Sequence, residues 1–239
     1  MANAASRDEL LSQHLAGLQQ QLDAKAHSAI DRIDGVGRQL LAARGYLRAG
    51  TAMGQRWSWT QQQIAAYAGS PEQLALAAEI ARVRVAFEKA NPGYTLFVNP
   101  QVRSLDLQLQ RWNQNQSVAR AGEHMASVLS AEIGRPGFPA PGSPAAVAAF
   151  QQLVRDHRPR PQPTLAAPGL SAHGRMSAVD FQVRQGNRTI AGPDSTTVSS
   201  VWTAQGWRDR LATAVRSAGG RFRGPLINPA EPWHYDYMP

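Results

Sequence analysis

Cysteine is missing altogether from the 239-residue chain. That excludes disulfides, thiolate metal sites and cysteine nucleophiles, and it leaves His, Asp and Glu as the side chains from which a metal centre can be built. Lysine is almost missing as well, since Lys25 and Lys89 are the only two, so arginine carries nearly all of a formal net charge of +8. A balance of this sign suits an anionic partner without choosing among nucleic acid, an acidic membrane surface and an anionic cell-wall polymer. No run approaches the ~18 apolar residues of a membrane span, and "MANAASRDELLSQHL" has no basic segment followed by an apolar stretch of the kind that marks a secretory signal. A soluble chain with no transmembrane segment is expected. No recognised nucleic-acid motif or interleaving of aromatic and basic residues is present either, so nucleic acid is not an expected partner.

What is there reads as helices followed by short strands. Over residues 6 to 48, Leu10, Leu11, Leu15, Leu18 and Leu22 recur at three- and four-residue spacings, which predicts an amphipathic helix or hairpin broken near Gly35 and Gly37. Its histidines, His14 and His27, have no carboxylate at ligand spacing and are expected to pack or face solvent. Ser70, Pro71 and Gln73 form a helix start signal of capping residue, first-turn proline and capping-box glutamine, and Asn91-Pro92-Gly93 form the stop. A short strand, "YTLFV", and a turn leading into another helix follow. Pro- and Gly-rich stretches at 133 to 147 and 158 to 170 read as surface loops around a short helix capped by Ser143. In "SAVDFQV" the alternation puts Val179, Phe181 and Val183 on one face and Asp180 and Gln182 on the other. A last helix repeats Trp207, Leu211 and Val215. The mixture predicts an α+β fold: a small mixed or antiparallel sheet with flanking helices, with a helical N-terminal extension over 1–68 and a second domain over 69–239.

Two stretches carry metal-ligating residue types. "SAHGRMSAVD" offers His173 and Asp180 seven residues apart, and "EPWH" offers Glu231 and His234 three apart. In a regular strand, residues three apart face opposite sides, so Glu231 and His234 converge only if the backbone bends, as Pro232 allows. Two imidazoles and one carboxylate make a sufficient catalytic zinc set, because three protein ligands leave a fourth position for water. A carboxylate just outside can then act as general base, and Glu231 is the residue available. Residue types and spacing alone leave a plainer alternative open, in which His173 is a loop histidine and "EPWH" packs aromatics beside a solvated acid. His124 and His157 each have a neighbouring carboxylate in sequence but are expected to be non-catalytic, and Trp202 and Trp207 are expected in the core.

"APGLSAHGRMSAVDF" together with "EPWHYDY" resembles the zinc D-alanyl-D-alanine carboxypeptidases and dipeptidases of bacterial cell-wall metabolism, peptidoglycan metallopeptidases with a hedgehog-like zinc fold. Their pattern is S-x-H-x-x-G-x-A-x-D followed much later by E-x-W-H. Ser171, His173, Ala178 and Asp180 match the first half and Glu231, Trp233 and His234 the second, while "VRSLDLQ" resembles the family's Y-R-S-x-x-x-Q turn through Arg103, Ser104 and Gln108. The resemblance covers about residues 70 to 239. It implies that His173, Asp180 and His234 hold zinc, that Glu231 is the catalytic base, and that Arg103 steadies the substrate's carbonyl oxygen or carboxylate. Ser171, Gln108 and Trp233 are then expected beside the substrate.

The implied substrate is the stem peptide of peptidoglycan or its muropeptides, which implies a periplasmic or extracellular location at the cell wall even though no signal peptide is visible. Terminal D-alanine removal is expected ahead of endopeptidase cleavage. The alternative from another class is a non-catalytic module on the same fold that docks on an anionic polymer. Three departures bear on the substrate pocket and leave the ligands intact. Met176 stands where the pattern has Gly, so that either the backbone there avoids positive φ or Gly174 takes up the turn; Val102 replaces Tyr; and the segment between Arg103 and His173 is longer than compact members need.

Overall fold

The structure is a computed structural model and describes residues 6–239, with the Arg7 side chain excepted. The first five residues, part of the opening stretch read for a signal, lie outside the described residues. In chain order the helices and strands are α1 (Arg7–Gln19), α2 (Ala24–Ile30), α3 (Val36–Ala49), α4 (Met53–Arg56), α5 (Gln61–Tyr67), α6 (Pro71–Ala90), β1 (Thr95–Val98) and α7 (Leu105–Gln114). They continue with α8 (Gln116–Ile133), α9 (Pro144–Asp156), β2 (Ala178–Gln185), β3 (Arg188–Ala191), α10 (Trp207–Ser217), β4 (Phe222–Arg223) and β5 (His234–Tyr237). The fold is α+β, with one small antiparallel sheet and flanking helices. Among the described residues, no helix is long and apolar enough to cross a membrane.

The chain divides into two compact units, and each is assembled from two separate stretches. The helical unit joins the residues up to Ser58 with Leu105–Ser171. Leu11, Leu15 and Leu18 of α1 share one apolar core with Leu40 and Tyr46 of α3, Met125 and Leu129 of α8, and Phe150 and Val154 of α9. His14 is buried in this unit against the rings of Phe138 and Phe150. Gly35, with φ 76°, caps the start of α3, but Gly37 is not a break. It lies inside α3, where a Cβ would stand 2.6 Å from the backbone of Gly122 in α8, so the glycine pair permits a helix crossing too close for any side chain.

This division differs from the 1–68 extension suggested by the sequence. The first 58 residues bury their leucines against α7, α8 and α9 of the same unit, and the long segment between Arg103 and His173 is the other half of that unit. Fully burying a Leu or Phe contributes about 1.5–3 kcal/mol. A chain beginning at Gly69 would strip Trp112, Met125, Leu129 and Phe150 of the α1 to α3 side chains that share their core. Such a truncation is therefore expected to be insoluble. Soluble expression with an unchanged far-ultraviolet spectrum per residue would show that α1 to α4 are dispensable.

The second unit joins Trp59–Ser104 with Ala172–Pro239 and contains the sheet. Its strand order is β1-β2-β5-β4, with β3 also paired to β2. The long strand β2 is the hub, pairing antiparallel with β1, β3 and β5. Its alternation is as the sequence indicates: Val179, Phe181 and Val183 are buried, while Asp180 and Gln182 are only partly so. The apolar face packs with Leu76, Val83 and Phe87 of α6 and with Trp202, Trp207 and Leu211. At the start of α6, Ser70 accepts from the Gln73 backbone N–H, but the Gln73 side chain reaches one residue further back, to the N–H of Gly69 at 2.6 Å. The full reciprocal box sits instead at α5, between Thr60 and Gln63.

Candidate metal centre

Three backbone features of the sheet-containing unit bring the polar residues together. His173 sits in a single 3-10 turn, Ala172–Arg175. Its carbonyl accepts from the Arg103 N–H at 3.2 Å, and the neighbouring Gly174 carbonyl accepts from Trp59 N–H at 2.9 Å. Asp180 lies on β2 directly across from His234 on β5. Directly opposed residues of an antiparallel pair have Cβ atoms about 4.5–5.5 Å apart, so a short carboxylate meets the imidazole facing it. Glu231 is turned toward the same place by a tight turn at Pro232 and Trp233, closed by the His234 N–H donating to the Glu231 carbonyl at 3.0 Å.

The result is a compact triangle of donor atoms. His173 Nε2 lies 3.2 Å from His234 Nδ1 and 3.3 Å from Asp180 Oδ1, and His234 Nδ1 lies 3.2 Å from the same oxygen. All three side chains are close to nine-tenths buried. This His173, Asp180 and His234 group can hold a metal ion. The other oxygen of Asp180 is taken by the Arg103 guanidinium, which leaves Oδ1 facing the two rings. Glu231 stands just outside the triangle, with Oε2 3.7 Å from His234 Nδ1.

Electrostatics separate the roles of the two carboxyl groups. Burial by itself would raise the pKa of Asp180, but hydrogen bonds from His173 and His234 and the charges of His173 and Arg103 outweigh it and hold the group far below the usual carboxylate range. Burial pushes Glu231 up, against the pull of His234 and with the added repulsion of Asp180. The histidines diverge in the same way. Burial lowers His173 despite Asp180, whereas for His234 the opposing hydrogen bond and charge of Asp180, joined by Glu231 and Asp236, raise it. Asp180 is thus held as an anion, while Glu231 is shifted toward its protonated form.

The remaining expected residues are placed differently. Trp233 is 4% exposed and packs against Trp202 in the core, with ring centroids 5.8 Å apart, so its ring is spent on packing. Gln108 belongs to the helical unit, where its buried amide donates to Ser58 Oγ at 2.7 Å and accepts from the Gly169 N–H at 2.9 Å. Ser171 is the half-buried last residue of that unit. Val102 packs on the second core. A groove of about 570 Å³ between the end of α6 and α10, lined by Ala86, Tyr94, Arg210 and Ser217 among others, includes none of the metal-centre residues.

Two features are missing from the sequence reading or differ from it. Asp236 Oδ1 lies 3.4 Å from His234 Nε2, the ring nitrogen facing away from the triangle. The signal was there in the His-x-Asp spacing, since residues two apart on a strand share a face. A carboxylate behind a ligating imidazole fixes its tautomer and orientation, and losing it typically costs about 10- to 100-fold in metal affinity. Asp236→Asn is accordingly expected to weaken metal binding by about tenfold, as read by competition with a chromophoric chelator; unchanged affinity would show that the half-exposed contact does not orient the ring. Met176 is the other feature. It takes φ 52°, the sole positive φ on a non-glycine among the described residues, so neither expected alternative holds: the backbone does not avoid positive φ, and Gly174 does not relieve it. The cost of such a conformation is roughly 1–2 kcal/mol, and burial of the Met176 side chain in the second core offsets it. Strain of this kind is characteristic of functional turns.

Comparison with known proteins identifies no relative: no family model matches the chain, and neither a curated protein nor a solved structure matches it.

Proposed function

We propose that the chain is a zinc-dependent peptidase acting on the stem peptides of peptidoglycan, of the D-alanyl-D-alanine carboxypeptidase type. The observation that carries this reading is the donor triangle with Glu231 beside it. The three donor atoms lie 3.2–3.3 Å from one another, close enough for a single ion to reach all three. Two imidazoles also favour zinc over the harder cations. A second support is Met176, because the position at which the family pattern has glycine is the one at which this backbone takes positive φ.

Zinc held here would supply Lewis acidity, polarising a scissile carbonyl and lowering the pKa of water to about 7. The other roles belong to the chain. Glu231, raised by burial and close to His234, accepts the proton of the attacking water and passes it to the leaving amine. Arg103 holds Asp180 through one oxygen and presents its positive charge beside the site, where a substrate carbonyl or terminal carboxylate is stabilised. Asp236 steadies the His234 ring from behind.

A net charge of +8 favours an anionic polymer over a free dipeptide, and this substrate would place the protein in the periplasm or outside the cell, at the wall. The test is digestion of purified sacculi and defined muropeptides by the zinc-loaded protein, followed by product masses. Loss of a single alanine supports the carboxypeptidase. Separation of cross-linked or stem fragments supports an endopeptidase using the same centre, and unchanged masses would point to a non-catalytic module that docks on the polymer.

A further inference from the structure

The helical unit gathers positive charge at a place with no part in the metal centre. Arg44 and Arg48 lie one turn apart on α3, the first half-buried and the second exposed. Arg44 Nε donates to the backbone carbonyl of His157, which ends α9, at 2.5 Å. The His157 ring centroid lies 5.9 Å from that of His124 on α8. Among the described residues, neither guanidinium has a carboxylate within ion-pair distance. Asp156, next to His157 in sequence, accepts instead from the Gln152 amide. His157 Nε2 is buried without a hydrogen-bond partner.

Four cationic or protonatable groups are thus held together, and among the described residues none of them has a carboxylate within ion-pair distance. Burial and then the charge of Arg48 hold the pKa of Arg44 below its usual value, and burial, His124 and Arg44 do the same for His157. Like charges one turn apart on a helix oppose folding, and a buried polar nitrogen without a partner adds a desolvation cost. A bound anion relieves both.

We propose that the cluster of Arg44, Arg48, His124 and His157 binds a phosphate-type dianion, either inorganic phosphate or the phosphomonoester end of a larger molecule. Guanidinium forks match pairs of phosphate oxygens, and each imidazole can donate one N–H. Two guanidiniums balance a dianion, whereas a single carboxylate or phosphodiester balances only one of them. The site lies wholly within the helical unit, so it stands or falls independently of the peptidase reading.

The test is a nuclear magnetic resonance titration of the full chain with inorganic phosphate at pH 7.5, following the imidazole signals of His124 and His157, with sodium chloride at matched ionic strength as reference. Saturable shifts of both rings with phosphate alone are expected, weakened about tenfold or more in Arg48→Gln, as loss of a charge-assisted contact implies. Arg44→Lys, which keeps the charge and loses the fork, is expected to weaken binding as well. Shifts that never saturate, that chloride reproduces or that both variants leave unchanged would overturn the proposal. Co-sedimentation with vesicles containing phosphatidic acid, competed by free phosphate, would assign the phosphate to a lipid headgroup. Saturable phosphate binding without sedimentation would assign it to a soluble phosphomonoester.

Discussion

His173→Ala and His234→Ala are each expected to lose bound metal, from one zinc per chain to near none after dialysis. Each change removes one corner of a triangle whose sides are 3.2–3.3 Å, and no other described group of three or more His, Asp or Glu residues can replace it. Removing a residue that merely orients a ligand costs about 10- to 100-fold in affinity, so removing the ligand itself is expected to cost on the order of 100-fold or more. The effect has a second readout in stability. A ligand present at a hundred times its dissociation constant stabilises the native state by about 2.7 kcal/mol. Zinc should therefore raise the melting temperature of the wild type and leave both variants where they were. Zinc content equal to the wild type in both variants would show that the triangle is not the metal site.

Glu231→Gln is expected to retain zinc and fold while losing hydrolysis. The amide keeps the volume and a hydrogen-bonding oxygen beside His234 but cannot take a proton. General-base removal typically costs about 10² to 10⁴ in rate. Glu231 lies outside the donor triangle, 3.7 Å from His234 Nδ1, so metal affinity should move little. The comparison is kcat on a defined muropeptide alongside zinc content. A variant with wild-type kcat would place the proton acceptor elsewhere, and a variant without zinc would make Glu231 a fourth ligand instead.

Parts of the site were legible where their geometry is local, although the triangle itself is closed by the pairing of β2 with β5. The period-two alternation of β2 places Asp180 opposite Val179 and Phe181, and Pro232 announces the turn that lets Glu231 and His234 converge. Helix ends were legible where one residue supplies the cap, as with Ser70 and Ser143. What could not be read was set by contacts distant in sequence. The helical unit is built from two stretches separated by 46 residues, Trp59–Ser104, and leucine spacing in α1 says that a face is apolar without saying what covers it. Gly37 resembles a helix break until its partner Gly122 is known. Met176 shows the reverse case. A position with positive φ ordinarily favours glycine, and here a buried methionine adopts it because its side chain is held in the core. Asp236 was passed over because an exposed acid on a strand has many ordinary explanations, and its distance to His234 Nε2 singles it out.

The decisive measurement is muropeptide hydrolysis by the full chain as its metal is withdrawn and restored. The protein is stripped with a chelator, dialysed and titrated with zinc, and the products are followed by mass. If a zinc site at His173, Asp180 and His234 drives hydrolysis, cleavage falls to background in the stripped protein and returns in proportion to zinc up to one equivalent per chain, with none returning in His173→Ala. Cleavage that persists at full rate in the stripped protein would contradict it.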